Sequence, residues 1–484
     1  MSSRTLVRSA ELALLVAASS ACGEDPVGTE EPPYPRCAGL APGTLLARAE
    51  HYDRIALGHM PEGQDLVHAV FFEEDMRTVE RLSISDNAGS WSAIYVASQA
   101  YRFAVTRDPA ALDNVRRGLR GMTTVLEVTG VPGLFARAYV DPILPGFPSS
   151  SQLLASYPDC DLTVRHCKRW QQSSVEEYAG LWFKSDVSKD EYTGQVFALG
   201  AIFELVDDSQ VRGVVRSMLS SVGAHLIDHN LQITDIDGRP TTFGLMSPVS
   251  LNDFPGFNAL LVLSWFKVIA NATRDPRFER FYADCLLREN VEACERPELA
   301  TSEAFTAYLS GVGLDLGCKT NWNNHHMAQL AMFSLAHLES GPPAQLIRQA
   351  LRHEMWEAET DRPMREQDNA LFTFFYSINR PAGAPRPDAE LARAQCILGA
   401  FPDVKAHHAV DTTAYPEVCR DRNDEPLTDI VIPFAERDID NYMWKKNPYA
   451  IKSEAAIPNL VESPEDYLLA YWLARHFGIL DDRA

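Results

Sequence analysis

Six times along the chain a polar or acidic loop runs straight into a helical stretch that is apolar nearly all round. Asp86-Asn-Ala-Gly-Ser-Trp91 opens a run to Val105, and Asp190-Glu-Tyr-Thr-Gly194 one to Leu205. Asp253-Phe-Pro-Gly256 opens a run through Ile269, and Asn321-Trp-Asn-Asn-His-His326 one through Leu338. Glu366-Gln-Asp-Asn369 leads to Ile378, and Ser463-Pro-Glu-Asp-Tyr467 to Phe477. A helix without a polar face belongs in the interior of a large protein. Amphipathic stretches alternate with these runs: Pro109–Leu126, Ser209–His229, Pro276–Glu289 and Pro343–Glu359. Inner and outer helices in about six pairs predict a closed ring of helical hairpins. The loops that open the inner helices would then gather at one end.

The chain has 484 residues, of which 46% are hydrophobic, enough for a sizeable core. Its formal net charge is -22, which argues against nucleic acid, whose binding depends on cationic contacts to phosphate. The N-terminus reads as an export signal over residues 1–21. Arg4 and Arg8 precede the apolar Leu12–Ala18, and Ser19-Ser-Ala21 supplies small residues for cleavage. Cys22 then resembles the lipid-modified cysteine of bacterial lipoproteins, which implies a periplasmic or surface protein anchored only through lipid. Residues 22–37 are acidic and proline-rich and read as a tether. Residues 38–85 form a lead-in with one helix around Pro42–Leu57, and the barrel domain is expected over 86–484. No later segment reaches the roughly 18 apolar residues of a membrane span.

Setting Cys22 aside leaves eight cysteines, an even number that fits an oxidising compartment. Sequence proximity pairs Cys160 with Cys167, Cys285 with Cys294 and Cys396 with Cys419. Cys37–Cys318 follows by elimination. The alternative is that some are buried free thiols. Two long irregular segments, Val131–Lys184 and Phe401–Ala455, read as binding loops or lids.

The alternating, acid-headed helices resemble the six-hairpin (α/α)6-barrel proteins of carbohydrate metabolism: glycoside hydrolases, uronyl hydrolases and polysaccharide lyases. The resemblance is architectural, covers about residues 86–480, and carries no family motif. It implies an all-α (α/α)6 barrel with long loop insertions and minor β structure. It also implies a glycan or other small polar substrate. Terpene cyclases and other enzymes use helical barrels too, so the site must decide the chemistry.

Asp86, beside Trp91, is a candidate general acid, although Asp is also a favoured N-cap. Asp190 and Glu191 are candidates for its partner, because glycoside hydrolysis needs two carboxyl groups across one cleft. Two acids at a helix start are equally explained by the helix dipole. Trp91, Tyr192, Trp322 and Trp444 would form the sugar platform, with Asn321, His325 and Arg137 as orienting groups. Asp440-Asn-Tyr-Met-Trp-Lys-Lys-Asn-Pro-Tyr449 packs acid, amide, aromatic and base into ten residues; Lys445 or Lys446 would meet a carboxylate there, and Asp466 opens the last inner helix. A lyase would instead use Tyr192 or His325 as the proton acceptor and Asn321 or Arg137 against a uronate. The third reading is a non-catalytic glycan-binding or scaffold lipoprotein. No HExxH motif, P-loop, Rossmann fingerprint or GxSxG elbow occurs, and the expectation is an enzyme without metal or cofactor.

Overall fold

The computed structural model describes residues 40–161, 167–248, 254–360, 362–451 and 456–481. The export signal, Cys22, the tether, Cys37 and Asp253 lie outside the described residues. Thirteen α-helices are described. They are α1 (Thr44–Ala56), α2 (Ala88–Thr106), α3 (Pro109–Glu127), α4 (Ser150–Ala155), α5 (Lys189–Leu205), α6 (Ser209–Asp228) and α7 (Pro255–Thr273), followed by α8 (Pro276–Arg280), α9 (Trp322–Leu338), α10 (Pro342–Ala350), α11 (Ala370–Asn379), α12 (Asp388–Gly399) and α13 (Glu465–His476).

The six apolar helices close a ring. α2 packs on α5, α5 on α7, α7 on α9, α9 on α11, α11 on α13, and α13 back on α2. An outer layer covers it. α3 lies on α2 and α6, α6 on α5 and α7, α8 on α7, α10 on α9, α12 on α11, and α1 on α13 and α12. The chain is therefore an all-α (α/α)6 barrel. α7 shows why the inner helices are apolar all round: Leu260, Leu261, Leu263 and Phe266 are completely buried on different sides of one helix. Contrary to the expectation from the sequence, it is by length and composition apolar enough to cross a membrane, the one such helix among the described residues, but 83% of that stretch is buried inside the protein. Truncating such a leucine to alanine costs about 2–5 kcal/mol, because the cavity left behind collapses only partly.

Local chemistry sets the hairpin turns. Thr106-Arg-Asp-Pro109 and Thr273-Arg-Asp-Pro276 use one solution twice. Arg107 and Arg274 end their helices in the left-handed region, at φ 57 and 54. Asp108 and Asp275 then cap the next helix through the backbone N–H of Ala110 and Arg277, with proline in the first turn. Two outer helices are shorter than their amphipathic pattern. α8 passes into a π-helical turn at Phe281–Leu286, and α10 into another at Leu351–Trp356.

Four small antiparallel sheets decorate the ring. β1 (Ala69–Phe72) pairs with β2 (Val79–Ser83) and β10 (Leu460–Val461), joining the lead-in to the segment before α13. β5 (Trp182–Lys184) lies between β3 (Ala138–Val140) and β4 (Trp170–Gln172). β6 (Gln232–Thr234) pairs with β7 (Pro240–Leu245), and β8 (Cys419–Arg420) with β9 (Pro426–Leu427).

Disulfides join Cys160 to Cys167 and Cys285 to Cys294. The Cys396–Cys419 pairing does not occur. Cys419 is bonded to Cys318, across 101 residues of sequence, and Cys396 is bonded elsewhere. Sequence proximity misled here because the barrel folds β8 back onto the turn that precedes α9.

Candidate functional site

Side-chain bonds place the openings of the six inner helices at one mouth. The Asn87 amide donates to Asp190, linking α2 to α5. Asn323 donates to the same Asp190 oxygen at 3.0 Å, adding α9. Lys189 donates to Asn258 at 2.9 Å, adding α7. Asn369, the cap of α11, donates to the Trp444 carbonyl at 2.9 Å, and the Trp444 indole donates to the Asp466 carbonyl of α13 at 2.8 Å. Asn87 stands at the N-cap of α2 but makes no side-chain cap; its oxygen instead accepts from Arg137 at 3.0 Å. A capping residue has been diverted to hold the mouth together.

Three adjoining cavities cross this mouth. A central one of about 240 Å³ is lined by Trp91, His68, Asp440, Asn441, Glu465 and the His407–Glu462 pair, whose bond is 2.9 Å. It shares Ser83 with a cavity of about 470 Å³ lined by Asp86, Tyr157, Trp170 and Lys184. On its other side it shares Asp440 and Lys446 with a cavity of about 260 Å³ lined by Asn321, Trp322, Asn323 and Lys445. Together they form a groove with aromatic residues in each part. Its walls come from both irregular insertions: Tyr157 and Trp170 from the first, Asp440, Lys445 and Lys446 from the second.

The two carboxyl groups of the central cavity have opposite character. Glu465 is buried, and burial pushes its carboxyl well above the usual range, an effect Lys405 only partly offsets. Its own contact is the Ser463 hydroxyl. Burial also raises Asp440, but Lys445, at 3.4 Å, and Lys446 outweigh it and hold that carboxyl below its ordinary value. Burial favours the protonated form of Glu465, and the two lysines favour the ionised form of Asp440. Trp91 lies against Tyr442 in a stacked pair, 4.8 Å between centroids, and Lys445 sits 5.5 Å over the Trp91 ring. Among the described residues, both ring nitrogens of buried His68 and the Asn441 side-chain oxygen have no hydrogen-bond partner. Burial, aided by His59, pushes the His68 imidazole down to about 3, so it is neutral.

Several residues picked out from the sequence lie elsewhere or do other work. Asp86 is not a cap. It binds Lys168, Lys184 at 3.0 Å and the Tyr157 hydroxyl at 3.0 Å. Burial raises its carboxyl, but Lys184 and Lys168 outweigh that and hold it well below the usual range. It is an anion, and a general-acid role does not fit it. Asp190 and Glu191 do not line its cavity. Asp190 accepts from Ser188, Asn87 and Asn323. Glu191 is completely buried between α2 and α5, where a Cβ on Gly89 would stand 2.8 Å from its carboxylate. Tyr192 is turned into the core, donating to the Gly133 carbonyl at 2.7 Å. Trp444 is buried among Phe401 and Phe434 and is no sugar platform. Asp466 is buried in an ion pair with Lys405. Arg137 is buried against Asn87 and the Asp186 carbonyl. His325 lines a different cavity, described below. Trp91, Trp322, Asn321 and Lys445 do face the groove.

The residues that sequence reasoning missed are Glu465, His68 and the role of Asp440. Ser463-Pro-Glu-Asp-Tyr467 contains two adjacent acids. Neighbouring helical residues point about 100° apart, so only one can face the mouth. Position in the helix would have posed that choice, but only the three-dimensional partners settle it: Asp466 faces Lys405 and Glu465 faces the cavity.

No family model and no curated protein sequence matches the chain. Among solved structures it is similar to an unsaturated glucuronyl hydrolase specific for heparin, at 8% identity and a TM-score of 0.41 over 90% of this chain and 96% of that one. It is also similar to cellobiose 2-epimerase from Spirochaeta thermophila DSM 6192, at 12% identity and a TM-score of 0.39 over the same shares. The barrel itself is defined by the closed ring of helix contacts.

Proposed function

We propose that the chain is an exported glycoside hydrolase whose proton donor is Glu465 and whose base or nucleophile is Asp440. One observation carries this reading: Glu465, whose burial favours the protonated carboxyl, and Asp440, whose lysine neighbours favour the ionised one, line the same small cavity beside Trp91. Separating the character of two acids by their surroundings is how such sites assign roles. Glu465 would protonate the glycosidic oxygen as the bond to the anomeric carbon breaks. Asp440 would take a proton from the attacking water, or attack the anomeric carbon itself and form an ester that water then cleaves. Trp91, with Tyr442 stacked on its ring and Lys445 over it, gives the cavity an aromatic wall beside which a pyranose would lie. The unpartnered nitrogens of His68 and the Asn441 oxygen offer hydrogen bonds to hydroxyl groups, since buried polar atoms ordinarily find partners.

Incubating the chain with a panel of glycans, read by new reducing ends and by the absorbance of unsaturated uronates, tests the reaction class. Hydrolysis gives the first signal without the second. Glu465→Gln and Asp440→Asn should each lower kcat by at least about a hundredfold, the scale of lost acid–base catalysis. Turnover unchanged in both variants would remove the assignment. Export is supported by the Arg4/Arg8 start and Ser19-Ser-Ala21-Cys22. Disulfides such as Cys160–Cys167 fit an oxidising compartment. A mature chain starting at lipid-modified Cys22, seen by mass spectrometry in the native host, is the expected result, and a retained Met1 would overturn it.

A further inference from the structure

The cavity that His325 faces is the largest of those described, about 570 Å³, and shares no lining residue with the mouth groove. Its walls are the Val312–Asp315 segment, the first turn of α9, and the chain that leaves the π-helical turn after α10. Four acids line it, Asp315, Glu354, Glu357 and Glu359, against one arginine, Arg362. Glu357 is paired with Arg352 at 2.7 Å. Asp315, Glu354 and Glu359 have no ion pair among the described residues, and Arg362 is drawn aside over the Tyr449 ring, 4.4 Å from its centroid. The surplus charge of the lining is negative, with one Asp315 oxygen also accepting from the Gly317 N–H at 2.8 Å and the Thr320 hydroxyl at 3.1 Å.

An acidic hollow alone is an ordinary solvated surface. His325 is a second, independent observation. It is 4% exposed and lines the cavity; among the described residues the Leu314 carbonyl is the one acceptor near its ring, and at least one ring nitrogen has no hydrogen-bond partner. Trp322 stacks on it at 4.8 Å and fixes the plane of its ring. A buried ring nitrogen without a partner costs free energy that a bound polar group would recover. Burial pushes the His325 imidazole down to about 4, so it is neutral, and with its N–H toward the Leu314 carbonyl the other nitrogen is an acceptor for a hydroxyl.

We propose that this cavity is a second binding site, for a small organic cation that carries a primary ammonium together with hydroxyl groups. The ammonium would sit among Asp315, Glu354 and Glu359, and His325 would hydrogen-bond a hydroxyl. A metal ion fits the site less well: the hollow is far larger than an ion, and no three ligating side chains converge among the described residues.

Glucosamine is a suitable probe. Calorimetric titration of the full chain should show it binding, with affinity falling as salt rises, while glucose and N-acetylglucosamine give no heat. The double variant Glu354→Gln/Glu359→Gln, both away from the core, should lose about tenfold or more in affinity. His325→Asn should lose affinity at unchanged salt dependence. Asp440→Asn, in the mouth groove, should bind glucosamine as the wild type does. Absent binding, equal binding of glucose, full affinity in the double variant, or calcium binding in place of glucosamine would each overturn the proposal. None of these readouts needs turnover, so a chain inactive on every glycan would leave the outcome intact.

Discussion

The Lys405 ammonium lies 2.6 Å from the Asp466 carboxylate, and both side chains are buried. Lys405 also donates to the Ser463 carbonyl at 2.8 Å, and Asp466 accepts from the Met443 N–H at 3.0 Å. One ion pair thus ties the second insertion to the first turn of α13, next to Glu465. A buried pair gains little over an apolar replacement, but losing one partner strands a charge. Lys405→Met should cost about 3–5 kcal/mol in urea unfolding, and adding Asp466→Leu should recover a substantial part of it. A single variant as stable as the wild type would mean that water reaches this pair.

The opposite character of Glu465 and Asp440 fixes the form of the pH–rate profile. The proton donor works only while protonated, so turnover should fall as pH rises through the elevated range of Glu465. The base works only while ionised, so turnover should also fall on the acid side, below the ordinary carboxylate range, because Lys445 and Lys446 hold Asp440 down. A broad plateau through weakly acidic pH is expected. Lys445→Met should move the acid limb upward and leave the alkaline limb in place. A profile of kcat/KM in which the alkaline limb moves instead would reverse the two roles.

Cys318–Cys419 closes a loop of 101 residues that contains α9 to α12, and it anchors β8 beside the cavity lined by Trp322. Cross-linking so long a loop restricts the unfolded chain, and removing such a bond costs about 2–5 kcal/mol in small domains. The pair of substitutions Cys318→Ser/Cys419→Ser should lower the unfolding midpoint and make the region around β8 and β9 the first cut by protease. Non-reducing peptide mapping should recover Cys318 and Cys419 in one linked species.

The ring was legible because its cause is local. An α-helix such as α7, with no polar face, has to be buried, and Thr-Arg-Asp-Pro writes the same turn twice. The acids at the helix starts pointed correctly to the mouth but not to their tasks. Asp86, Asp190 and Asp466 are all near it, yet each is spent on a partner distant in sequence: Lys184, Asn323 and Lys405. Which of two neighbouring acids meets the cavity depends on contacts spanning 61 residues or more, as Asp466 with Lys405 does. Trp444 failed as a platform for the same reason: an aromatic in a polar loop reads as exposed until the loop folds onto Phe401 and Phe434.

His68 offers a test of the central cavity that needs no substrate. Its ordinary value is 6.5, and burial, with His59 beside it, takes it down to about 3 in the folded chain. The unfolded chain therefore binds a proton that the folded chain refuses. The sign follows: this contribution is fully present above 6.5 and is lost as pH falls toward 3. Between pH 7 and pH 5 the loss amounts to about 2 kcal/mol, at about 1.4 kcal/mol per unit below the unfolded value. Other groups titrate in the same window, including Asp53, which burial pushes up to about 6, with the opposite sign. They are common to both proteins when the wild type is compared with His68→Gln. Urea unfolding at the two pH values should show the wild type losing about 2 kcal/mol more than the variant. Equal losses would mean that water or a proton reaches His68 in the folded chain, and that its unpartnered nitrogens are not held ready for a ligand.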